Sequence, residues 1–92
     1  MRKILANPFT KNYPHLDIHG ETRESAVILV ADFINDNIKM HNNVIVIIHG
    51  FGQGILKKAV HQSLKSDKRV SKYYLNNNNL GETIIELMID KC

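Results

Sequence analysis

The spacing of hydrophobic positions changes along this chain, and each change marks an element. Leu16 and Ile18 alternate with Asp17 and His19, the period-two pattern of a short strand over 16–19 that puts its two polar side chains on one side. From Thr22 onward apolar residues recur at intervals of three and four. Val27, Val30, Ala31, Ile34 and Ile38 form a stripe while Arg23, Asp32, Asn35, Asp36 and Lys39 lie off it, which predicts an amphipathic helix. Thr22 is a good N-cap, Glu24 complements the positive end of the helix dipole, and His41-Asn42-Asn43 is a stop signal. Val44–Ile48 is apolar and β-branched throughout, as expected of a central strand in a parallel pair. A helix joining two such strands predicts a right-handed βαβ unit.

In the next segment Ile55, Leu56, Ala59, Val60 and Leu64 share a helical stripe, and Lys57, Lys58, His61, Gln62 and Lys65 occupy the exposed face. Residues 70–75 and 83–89 read as two further strands. The asparagine-rich stretch 76–81 between them reads as a solvated turn, with a functional lid as the alternative. Pro8 and Pro14 break the periodicity of residues 1–15, an extended arm packed through Phe9 or Tyr13. The resulting order, βαβαββ, predicts an α/β two-layer sandwich over residues 16–92, a four-stranded mixed sheet with two helices on one face and the other face accessible.

Ninety-two residues, 43% of them hydrophobic, make one core and leave no room for a complete dinucleotide-binding domain. The one cysteine, Cys92, builds neither an internal disulfide framework nor a Cys-rich zinc site, which points to a reducing, cytoplasmic setting. The basic start breaks at Pro8 before a signal-peptide core can form, and no apolar run reaches membrane-spanning length; a soluble chain without a membrane partner is expected. The net charge is +3, but its distribution matters more. Lys57, Lys58, Lys65, Lys68, Arg69 and Lys72 face only Asp67 across residues 57–72, a basic surface suited to a phosphate-bearing partner, or simply a solvated lysine-rich helix.

The candidate chemistry lies where the two parallel strands run out. His49-Gly50-Phe51-Gly52-Gln53-Gly54 is a strand-to-helix turn in which Gly50, Gly52 and Gly54 let backbone approach an anion, and the helix from Ile55 adds unpaired N–H groups. It matches neither the P-loop nor the GxGxxG pattern. His19 and His49 can exchange protons near neutral pH, and Asp17 can orient one of them. Cleaving a phosphodiester in RNA needs a base for a 2′-hydroxyl or water, an acid for the leaving oxygen and donors for the phosphoryl oxygens. Asp17, His19, His49 and the loop amides meet that list; each residue taken singly also reads as a local hydrogen-bonding group. The pattern calls for no cofactor. A divalent metal on Asp17, His19 and His49, extended by Glu21 or Glu82, is the alternative. His15, His41 and His61 read as surface residues. Phe51 at the loop tip is a candidate for stacking on a base, and of Tyr73 and Tyr74 only one can face outwards.

These segments together resemble the small MutS-related (Smr) domain family. The resemblance runs from Leu16 to Leu87 and rests on Leu16-Asp17-Ile18-His19-Gly20, then Thr22 with Glu24 and Ala26, then His49-Gly50-Phe51-Gly52-Gln53-Gly54-Ile55-Leu56, and Gly81-Glu82-Thr83-Ile84-Ile85-Glu86-Leu87. It implies a βαβαββ sandwich similar to the carboxy-terminal half of a bacterial translation initiation factor. It also implies nucleic-acid binding and, in many members, endonuclease activity: DNA nicking, or RNA cleavage including messages on stalled ribosomes. By that resemblance Asp17 and His19 carry the activity, and His49, Gly50 and Gly52 bind the substrate backbone. Two departures stand out: Phe51 replaces a position that is often basic, and Gly81 is alone ahead of the final strand. The expectation is therefore an endonuclease acting on RNA or DNA. Asp17, His19 and His49 do the chemistry, and Gly50, Phe51, Gly52, Gly54, Lys57 and Lys58 hold the strand. The rival is a non-catalytic nucleic-acid or ribosome-binding module.

Overall fold

The computed structural model describes residues 12–52, 54–77 and 79–89. Its elements are β1 (His15–Asp17), α1 (Arg23–Lys39), β2 (Val44–Ile48), α2 (Ile55–Lys65), β3 (Val70–Asn76) and β4 (Asn79–Leu87). The four strands form one mixed sheet in the order β1-β2-β4-β3. β1 runs parallel to β2, and β4 is antiparallel to both of its neighbours.

The core lies between this sheet and the two helices. Ala26, Val30 and Ile34 from α1 and Val60 and Leu64 from α2 meet Ile45 and Ile47 of β2 and Ile85 and Leu87 of β4 in one buried cluster that also takes in Ile18. α1 begins as its sequence dictates: Thr22 Oγ1 accepts from the Ser25 N–H at 3.1 Å, replacing an intrahelical bond that the first turn lacks. Its buried face nevertheless includes Asn37, fully enclosed. That amide is satisfied locally, its Nδ2 donating to the Phe33 carbonyl at 2.8 Å and its Oδ1 accepting from Asn42 Nδ2 at 2.9 Å, so it ties the end of α1 to the approach to β2.

Three expectations need correction. The hairpin is tighter than the asparagine run implied, since β3 continues to Asn76 and β4 begins at Asn79. Side-chain bonds from Asn76 Nδ2 to Glu82 Oε1 (3.1 Å) and from the Gly81 N–H to Asn79 Oδ1 (3.0 Å) stitch these polar residues into the ladder despite their weak strand preference. The sheet face away from the helices is not simply open. Val46 and Ile84, paired across β2 and β4, are buried there, and Tyr13 lines a concavity with Tyr74 and Ile84; Phe9, the other expected anchor of the arm, lies outside the described residues. Ile55, placed on the core stripe by its spacing, is 53% exposed and lines the cavity at the start of α2. Tyr74 is the tyrosine that faces away from the helices, its hydroxyl donating to Glu86 Oε2 at 3.1 Å, and Tyr73 lies under α2 against His61.

Ile85 is fully buried where both helices meet the central strands. Ile85→Ala is expected to cost about 2–5 kcal/mol in urea unfolding, the range for large-to-small core changes.

Candidate nucleic-acid interface and active site

Strand register assembles the site. Asp17 pairs with Ile48 from one side and Glu82 pairs with Ile48 from the other, so the end of β1, the end of β2 and the start of β4 converge. Beyond this point the Ile18 N–H donates to the Ile48 carbonyl at 2.9 Å. On the other flank the Gly81 carbonyl accepts from the N–H groups of both His49 and Gly50, each at 3.0 Å. The glycine loop is thus pinned at its root by β4 while its tip stays outside.

Gly50 has φ +81°, and a Cβ there would come within 3.4 Å of the His19 Cβ. The position favours glycine for its left-handed backbone, while the histidine beside it would be left in ordinary contact with a side chain. At Gly81 the reason is close approach, since a Cβ would meet the Phe51 ring at 3.1 Å. One edge of Phe51 rests on this strand glycine while the residue as a whole remains 72% exposed. α2 starts at a Gly54 N-cap with no side-chain cap bond and no acidic residue in its first turn, which leaves its N-terminal amides and positive dipole facing outward.

A concavity of about 370 Å³ lies between these parts, lined by His19, His49, Gly50, Phe51, Gly52, Gly54 and Lys57, with Gly20, Ile48, Ile55 and Leu56 completing the wall. Asp17 stands behind His19, and Lys58 lies on the next face of α2, in the groove with His61 and Tyr73. The structure therefore brings His19, His49 and the loop glycines to one cavity, places Asp17 one bond away, and separates Lys58 from it.

The histidines sit in opposite environments. His19 is exposed, and its Nδ1–H donates to Asp17 Oδ1, which also accepts the His19 backbone N–H at 3.1 Å. This charge-assisted bond holds the Asp17 carboxyl below its ordinary range and raises His19 above the usual imidazole value. Among the described residues the other ring nitrogen, Nε2, has no hydrogen-bond partner, and His19 lines the cavity. His49 is instead only 5% exposed and both of its ring nitrogens are engaged. Nδ1 donates to the Gly50 carbonyl at 3.0 Å, and Nε2 lies 2.8 Å from Thr83 Oγ1. Thr83 Oγ1 is also 2.7 Å from His61 Nε2. A carbonyl only accepts, so His49 Nδ1 carries the proton, and in the neutral ring Nε2 accepts the Thr83 hydroxyl proton. Thr83 in turn accepts from His61 Nε2–H. Burial lowers both rings below the ordinary histidine value, and for His61 the nearby His49 adds to the effect.

His61 was expected at the surface and is instead half-buried in this network; His15 and His41 are exposed. Thr83 escaped the sequence reading as a site residue, although a hydroxyl inside the apolar run after Gly81 was its signal. Among the described residues no group of three or more His, Cys, Asp or Glu side chains is arranged to hold a metal, and Glu82, weighed as an additional donor, is bonded to Asn76. Among the described residues no helix is long and apolar enough to cross a membrane.

The fold is a two-layer α/β sandwich whose strand ends present a histidine–carboxylate pair beside a glycine-rich turn. Residues 16–87 match the model of the Smr domain, and the chain belongs to that family. It is 35% identical over 91 residues to Endonuclease MutS2 of Geobacillus sp. (strain WCH70), covering 92% of this chain and 12% of that protein. It is 37% identical over 75 residues to Endonuclease MutS2 of Shouchella clausii, covering 78% and 10%. The chain thus spans about a tenth of the length of these curated relatives. Among solved structures, the Smr domain of Thermus thermophilus MutS2 superposes with a TM-score of 0.79 at 24% identity, covering 82% of this chain and 98% of that one. YdaL, a stand-alone small MutS-related protein from Escherichia coli, gives 0.77 at 21%, covering 86% and 70%. Both share this fold.

Two measurements test the electrostatics. The His19 ring, followed by NMR, should titrate above about 6.5, and Asp17→Asn should bring its midpoint down towards that value. For His49 and His61 the sign is reversed: rings held neutral stabilise the fold above about pH 6.5, and that contribution is lost as the pH falls through their lowered folded values. The melting temperature should therefore drop on acidification, and drop less in His61→Gln, whose amide still donates to Thr83.

Proposed function

We propose that this domain is a nucleic-acid endonuclease, cleaving RNA or nicking DNA, with Asp17 and His19 performing the proton chemistry. The carrying observation is the Asp17–His19 pair, whose histidine lines the glycine-loop cavity. A carboxylate on Nδ1 sets the ring's orientation and strengthens its positive form, the arrangement that serves acid–base catalysis in hydrolytic sites. With its pKa raised, His19 is shifted towards its protonated form, which can donate to the leaving oxygen of a phosphodiester; in its neutral form the same ring accepts a proton from an attacking hydroxyl or water.

The remaining cavity groups fit the substrate's charge. Gly52, Gly54 and Lys57 line the cavity beside the start of α2, whose first turn has neither a side-chain cap nor an acidic residue, and an ammonium next to unpaired helix amides suits phosphoryl oxygens. His49 supports the reading from beneath: its ring joins the Gly50 carbonyl to Thr83 and so holds the loop against β4. Phe51, open on its outer side, offers a stacking surface for a base next to the held phosphate. The similarity to proteins named Endonuclease MutS2 supports the same class of reaction.

The test is cleavage of end-labelled RNA and DNA by the purified chain, with and without chelator, beside Asp17→Ala and His19→Ala. Loss of positioned acid–base catalysis should lower the rate by about 10²- to 10⁴-fold while oligonucleotide affinity stays close to wild type. Equal cleavage by all three proteins would remove these residues from the mechanism. Salt-dependent binding without any product would make the domain a binding module.

A further inference from the structure

A second concavity, of about 490 Å³, lies on the outer side of α2 where that helix crosses β3. It is lined by Lys57, Lys58, His61, Gln62, Lys65 and Tyr73. We propose that this groove is a second anion subsite, which takes a neighbouring phosphodiester of the strand held at the glycine loop. The proposal rests on the nucleic-acid reading above and extends it by assigning the path of the substrate.

Three observations carry it. Lys57 lines both concavities, so the two are adjoining parts of one basic surface. Lys57, His61 and Lys65 lie four residues apart on α2, about 6 Å of rise per step, a row of cationic or protonatable groups that suits a polyanion better than a single small ion. These lysines are also unneutralised: among the described residues the ion pairs are His19–Asp17, Arg69–Asp67 and Lys72–Glu86. Arg69 makes a double bond-pair to Asp67, Nε to Oδ1 at 3.0 Å and Nη2 to Oδ2 at 2.8 Å, so the adjacent arginine is already committed whereas the groove lysines are not.

Beneath the surface the same two concavities are joined by the His49–Thr83–His61 chain. With His61 Nε2–H donating to Thr83, its Nδ1 is the bare nitrogen of a residue that lines the groove. The groups around that ring are Lys57, Lys58 and Lys65 on α2, Tyr73 on β3, Thr83 on β4 and His49 after β2, which itself feels Glu82. In the free protein, burial first, and then the neighbouring His49 and Lys57, push the ring towards its neutral form. A phosphate in the groove would reverse that balance by favouring a proton on Nδ1, without disturbing the bond to Thr83.

The experiment follows the His19, His49 and His61 ring signals by NMR in the full chain during titration with a short single-stranded oligonucleotide, and separately with inorganic phosphate. Oligonucleotide should shift the His19 and His61 signals together and raise the His61 titration midpoint. The exposed double variant Lys58→Gln/Lys65→Gln, with an unchanged melting temperature, should lose the His61 response. Its salt slope of binding should fall by about 1.4, two phosphate contacts at about 0.7 each for a single strand, and the His19 response should persist. A response at His19 with His61 unmoved, and wild-type affinity in the double variant, would overturn the subsite and leave the glycine-loop reading standing. A response at His61 alone would overturn both the glycine-loop reading and the path proposed here, since no strand would then run between the two concavities. A His61 shift with inorganic phosphate but not with oligonucleotide would overturn the assignment to a nucleic-acid strand.

Discussion

The arrangement depends on the register at Ile48. This residue is paired with Asp17 on one flank and Glu82 on the other, and every group at the site takes its position from that double pairing. A slip of one residue in either ladder would turn Asp17 or Thr83 to the opposite face of the sheet, because side chains alternate. The hydrophobic alternation that buries Ile45, Ile47 and Ile85 against the helices fixes the register. Packing on one side of the sheet thereby sets the chemistry at its end.

From that register two histidine environments arise only a few residues apart in space. His19 projects into solvent with a carboxylate behind it and is pushed towards its charged form. His49 and His61 are held under the loop, share one hydroxyl, and are pushed towards neutrality. The contrast follows from burial and partner alone: a charge is stabilised where water and a carboxylate surround it, and penalised where a ring is enclosed among cations. One ring is thus suited to moving protons and the other two to holding structure, although residue type does not distinguish them.

The basic surface is likewise sorted by geometry. A run of six cations over residues 57–72 looks uniform, but Arg69 is spent on the turn before β3, and Lys72 sits beside Glu86. Among the described residues Lys57, Lys58 and Lys65 of α2 and Lys68 after it make no ion pair, and Lys57 stands beside the uncapped helix start and the glycine turn. That puts positive charge next to the strand ends.

Much of this was readable from residue order because it depends on local periodicity. The limits of β2 and α2, the Thr22 cap, the βαβαββ order and the contact between Asp17 and His19 follow from patterns that near neighbours enforce. The Smr-like motifs mark the same residues. The asparagine hairpin escaped because a cross-strand bond from Asn76 to Glu82 and a local one from the Gly81 N–H to Asn79 outweigh weak strand preference. Thr83 and His61 escaped for another reason: the residues they join, His49 included, are separated by up to 34 positions. Local composition specifies helices, strands and turns, because backbone preference and amphipathic spacing act within a few residues. Which histidine becomes charged, which becomes a strut and which lysines stay free is decided only when distant segments pack, since burial and the identity of the facing group are properties of the folded chain.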